Sequence, residues 1–192
     1  MNALPLFARP GWVNLLILVP LASFALWRRT GLDIAARILI AAGVFGMAFG
    51  FVEASVVVYL RAALGLIDPV GGSAINPLPL ASIPGHLLAS ERMRESATIV
   101  MLVAVAFLGA RRPRERWALF LFVFAWWDIC YYIGLRLLTG WPPSLMSTDI
   151  LFLIPVPWVA EVWYPLLVSG LSVAAVLHVR ALPRRVVQPD SR

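Results

Sequence analysis

The chain has 192 residues, 61% of them hydrophobic, with a mean hydropathy of +0.86 and a formal net charge of +6. That apolar share exceeds a soluble globular composition and leaves room for a single membrane bundle, residues 1–182, without a separate soluble domain. All 16 basic residues are arginine, which excludes Schiff-base chemistry and retinal-type pigments, and the lone Cys130 excludes an internal disulfide or a CxxC redox pair.

In chain order, the first apolar run is 12–27. It has the look of a secretory signal, but its basic pair, Arg28 and Arg29, follows the run as in a stop-transfer anchor, so it reads as a retained helix. The second run, 36–60, carries Ala42, Gly46, Gly50 and Ala54 at every fourth position, a spacing that lets a neighbouring helix approach closely. Glu53 sits near the edge of that face and points into the bundle or into a dimer seam. An outer loop, 62–90, is rich in Pro and Gly and lies over the bundle mouth or on the membrane surface.

The third run, 91–110, holds only 14 apolar residues from Ala97 to Ala110, so a crossing draws Glu91, Arg92, Arg94 and Glu95 into the outer membrane boundary. Singly, those four read as interfacial i, i+3 pairs. The fourth run, 117–138, places Asp128, Tyr132 and Arg136 on one helical stripe, with Tyr131 beside it. Segment 149–160 contains Pro155 and Pro157; as a helix it would reach only ~17 Å against a hydrocarbon core of ~30 Å. It is expected to be a re-entrant or interfacial piece on the outer side, with a kinked extension of the last span as the alternative. The last run is 162–179, and 183–192 form a cytoplasmic tail.

Arginines set the orientation. Arg28, Arg29 and Arg37, then Arg111 to Arg116, then Arg180, Arg184 and Arg185 all fall in the cytoplasm with five crossings and an outside N-terminus. They are topology determinants, and no nucleic acid is expected. His86 and His178 then lie on opposite sides, which argues against a bis-histidine haem or a histidine-rich zinc or copper site. The fold expected is an all-α, polytopic membrane helical bundle of five spans plus the proline-broken segment.

Acids at membrane depth are costly and must face protein or a wet cavity. Glu53 lies 16 residues beyond Arg37, roughly 24 Å in, and Asp128 lies 11 beyond Trp117, roughly 17 Å in. A ligand or ion site in the outer half is expected from Glu53, Arg94, Glu95, Asp128, Tyr132, Arg136 and Asp149. The bland alternative is a structural ion-pair network through Arg61, Arg94 or Arg136. Trp126, Trp127, Trp141, Trp158 and Trp163 read as belt and packing residues.

Three stretches, GFVEASVVVYLR (Gly50 to Arg61), RESATIVML (Arg94 to Leu102) and WDICYY (Trp127 to Tyr132) with Gly140-Trp141-Pro142 and 149–157, resemble a group of uncharacterised bacterial multi-pass membrane proteins. The resemblance implies a bacterial inner membrane and brings no activity with it. On the residues, the expectation is binding or conduction of a small solute, ion or proton. The alternatives are a membrane-embedded Mg²⁺- or Mn²⁺-dependent enzyme acting on a lipid or lipid-linked substrate, with no confident metal or cofactor, and an accessory subunit. The partners expected are the lipid bilayer and either a second copy or a larger membrane complex.

Overall fold

The computed structural model describes residues 7–66 and 84–181. Strand β1 (Ala8–Arg9) leads into a 3-10 turn, Gly11–Ile17, and α1 (Leu18–Thr30). Pro20 has no N–H for a bond to Leu16, so the regular ladder starts only two residues before it, where a first-turn proline is tolerated. Gly31, at φ 69°, ends α1 by returning its N–H to the Trp27 carbonyl at 2.6 Å. Then follow α2 (Ala36–Ala63), α3 (Gly85–Gly109) and α4 (Pro113–Thr139). Helix α4 opens on a proline at N1 and closes on Gly140 in the left-handed conformation. Strands β2 (Thr148–Phe152) and β3 (Trp158–Glu161) precede α5 (Trp163–Ala181).

Four helical stretches are long and apolar enough to cross a membrane: Gly11–Thr30, Ala36–Ala63, Pro113–Thr139 and Trp163–Ala181. They sit over the expected runs 12–27, 36–60, 117–138 and 162–179. Helix α3 is not among them. It starts at Gly85, so residues 85–90, assigned above to the outer loop 62–90, are helical. Residues 62 and 63 of that loop close α2, while 67–83 and the tail 183–192 lie outside the described residues.

Helix α4 is central, packed against α2, α3 and α5, with α1 packed on α5 and touching α4 where the Trp117 indole N–H donates to Ser23 Oγ. The α2–α4 contact explains the small-residue stripe. A side chain at Gly46 would start 2.7 Å from the Val123 carbonyl, and one at Gly50 would collide with the Trp127 carbonyl. In return, a Cβ at Gly134 would come 2.8 Å from the methyl of Ala54. The stripe Ala42, Gly46, Gly50 and Ala54 is thus a seam within this chain.

The expectation of an all-α fold needs correcting. Segment 149–160 is a β-hairpin, not the kinked helical extension of α5. It completes a three-stranded antiparallel sheet in the order β1-β3-β2, with Ala8 opposite Ala160 and Asp149 opposite the same residue on the other side. The physical reason is legible in retrospect. Ile150, Phe152, Trp158 and Val159 favour strands, while Pro155 and Pro157 fall in the connection, where no ladder N–H is needed.

Gly50→Leu is expected to cost at least about 3 kcal/mol, because the obstruction is helix backbone and cannot move aside. Gly170→Ala, with nothing within 4 Å of the new methyl, should stay within about 1 kcal/mol of the parent. Thermal unfolding of the two variants in detergent, followed by circular dichroism, checks the contrast.

Candidate functional site

The site forms where α2 ends, α3 begins and the hairpin folds over α4 and α5. Glu53 follows Gly50 on the seam and is only 3% exposed. Thr98 Oγ1 donates to Glu53 Oε1 at 2.7 Å, and Arg94 pairs with Glu53 Oε2. Arg94 also donates through Nε (3.0 Å) and Nη2 (2.7 Å) to Glu91 Oε2. One guanidinium thereby bridges two carboxylates, which is what its planar fork suits.

Glu95, on the next position of α3, turns to the hairpin and accepts the Leu153 N–H at 2.8 Å. Asp128 on α4 accepts the Ser169 hydroxyl of α5 at 2.8 Å. Tyr132, one turn on, donates its hydroxyl to Asp149 Oδ2 at 3.0 Å, tying α4 to strand β2. Neither Glu95, Asp128 nor Asp149 makes an ion pair among the described residues.

These groups border one cavity of about 100 Å³. Glu53, Arg94, Glu95, Asp128 and Tyr132 all line it, together with Thr98, Tyr131 and Ser169. Its remaining wall is largely aromatic. Phe152 of the hairpin lies 6.3 Å from Phe124, 6.2 Å from Trp127 and 5.3 Å from Trp158, ring centre to ring centre. The indole N–H groups of Trp127 and Trp158 are buried without a partner.

Of the seven expected residues, five meet in the cavity. Asp149 stands one hydrogen bond behind Tyr132. Its carboxyl is pushed up to about 6, chiefly by burial, against the opposing pull of the Arg61 guanidinium and the Tyr132 hydrogen bond. Arg136 does not belong to the site: its Nη1 donates to the carbonyls of Gly140 and, at 3.0 Å, Pro142, capping the end of α4. The stripe spacing was right, but at the last turn the unmet carbonyls lie closer than the cavity does.

Other residues emerge only here. Glu91 is buried and shares Arg94, so it is no interfacial decoration. Thr98, at i+4 from Arg94, was findable by helical spacing, whereas nothing in the sequence ties Ser169 to Asp128. Trp127 and Trp158, read as belt and packing residues, pack in the core and also line the cavity. Arg61 is 3% exposed, stacked 4.5 Å over Trp141, with Nε and Nη1 unpartnered.

Arg94→Gln should destabilise the bundle by about 3–5 kcal/mol, since it strands two buried carboxylates. Adding Glu53→Gln should restore a large part of that loss, as read by denaturant-induced loss of helicity. Asp149→Asn tests linkage. Its folded value lies above its ordinary 3.8, so the wild type carries a stabilising increment that is full below that pH and lost as pH rises through about 6. In the variant, the fall in stability across that window should be shallower. No protein-family model, curated protein or solved structure matches this chain, so its function rests on the geometry of its own cavity.

Proposed function

We propose that this chain is a five-span bacterial inner-membrane protein whose cavity binds a small cation or a proton and passes it through the bundle. The N-terminus stands outside and the C-terminus in the cytoplasm, as the arginine-rich loops favour. Counting α3 as the fifth span is supported by its length, 25 residues or roughly 37 Å, and by where its charges go. Glu91 and Glu95 are buried against protein and Arg94 is engaged by two acids, which leaves Arg92 as the exposed charge of that turn.

One observation carries the cation reading. Glu95 and Asp128, from different helices, border the same partly open cavity and make no ion pair among the described residues. Arg94 makes its ion pairs with Glu53 and Glu91, and acts on Glu95 only at longer range. A buried carboxylate in that position needs a counter-charge, and the cavity is where a proton or a cation supplies it. Nothing favours the metal-dependent enzyme in comparison: among the described residues no three His, Cys, Asp or Glu side chains group to hold a metal.

In proteoliposomes loaded with a pH- or cation-sensitive dye, wild-type protein should dissipate an imposed gradient. Asp128→Asn and Glu95→Gln should each slow it at least about tenfold while keeping the wild-type helical signal. Equal fluxes in all three proteins would sink the proposal and leave the acids as structural groups.

A further inference from the structure

We propose that the ion is a proton and that it passes between the cavity and the outer face through the Tyr132 hydroxyl and the Asp149 carboxyl. This rests on the cation reading above and narrows it to one ion and one route. Tyr132 belongs to both ends: its side chain lines the cavity, and its hydroxyl donates to Asp149 Oδ2 at 3.0 Å. Asp149 does not line the cavity. It stands at the start of the hairpin beside the exposed Thr148 and is itself only half-buried, so it lies between the buried tyrosine and the surface.

The cavity supplies the inner end of the route. Asp128 lies one turn before Tyr132 on α4, and both border the same space with Glu95 and Ser169. A water needs roughly 10–15 Å³ of such space and at least two polar partners. The cavity of about 100 Å³, walled by these side chains, has room for several, enough to link Asp128 to the tyrosine. Charge holds the outer end ready. Arg61, buried and without an ion pair among the described residues, pulls Asp149 toward the carboxylate, the form that accepts a proton.

The transfer balances at one oxygen. The Tyr132 oxygen takes a proton from the cavity side as its own hydroxyl proton moves to Asp149 Oδ2. One O–H bond forms there as another breaks, so the tyrosine stays neutral throughout. Asp149 then gives the proton to solvent at the hairpin, and rotation of the hydroxyl restores its bond to the carboxylate. The reverse sequence carries a proton inward. A direct hydroxyl–carboxylate hydrogen bond leaves no room for a sodium or potassium ion, so the link selects the proton.

Wild-type protein and variants would be reconstituted in liposomes holding a pH-sensitive dye under an imposed proton gradient, with a parallel set under a sodium gradient. Wild type should pass protons and not sodium. Asp149→Asn and Tyr132→Phe should each slow proton flux at least about tenfold while keeping the wild-type helical signal. The asparagine is the sharper test: its amide oxygen still accepts the Tyr132 hydroxyl, so it keeps the latch between α4 and the hairpin and loses only the titrating group. Wild-type proton flux in Asp149→Asn overturns the relay, because protons then enter by the mouth of the cavity. Sodium flux through the wild type overturns it too. In either case, a loss of flux in Asp128→Asn leaves the cation site standing. If Asp128→Asn matches wild type, or wild type passes no ion, both readings fail.

Discussion

Everything at the site depends on how closely α2 and α4 approach. Gly46 and Gly50 let the backbone of α2 rest on the carbonyls of Val123 and Trp127, and Gly134 accepts Ala54 from the other side. In lipid such contacts cannot draw on a hydrophobic driving force between helices; they hold by close packing, which small residues permit. Each glycine costs about 1 kcal/mol of helix propensity relative to alanine, and the stripe is justified only by what it brings together. It brings Glu53 of α2 and Asp128 of α4 to the wall of one cavity, and leaves α3 near enough for Thr98 and Arg94 to reach Glu53.

The second constraint is unhelical backbone over a buried site. Buried strand N–H and C=O groups must be satisfied by protein. Here the sheet does most of that work, with β1 and β2 pairing both edges of β3. The site supplies the rest: Glu95 takes the Leu153 N–H at the end of β2, and Tyr132 holds Asp149 near its start. The cavity is therefore bordered by a hairpin whose fastening points are two of the site's own groups, on α3 and α4.

Much of this was legible, for identifiable reasons. A long apolar run with acids inside it is a strong signal because lipid penalises charge so heavily, and Glu53 and Asp128 were found that way. Fourfold spacing of small residues predicted a close helix approach but could not say against which helix. The hairpin was missed because a short segment with two prolines looks merely broken when judged as a helix; strand pairing with residues 8 and 9 is a long-range fact no local pattern contains. Arg136 was misassigned for the opposite reason. Local spacing put it on the right stripe, and the helix end, with its unmet carbonyls, captured it.

A structural ion-pair network remains the natural rival to a functional site, and the hydrogen bonds separate the two. Glu53 and Glu91 fit the structural account, since Arg94 needs both as anions. Glu95 and Asp128 do not fit it. The groups they satisfy, the Leu153 amide and the Ser169 hydroxyl, are neutral donors that a glutamine or asparagine carbonyl would satisfy equally well. An amide at either position would hold the hairpin and α5 without the penalty of a carboxylate at membrane depth. The acid group exceeds what these two hydrogen bonds require, and on the proposed reading its negative charge serves the cavity beside it.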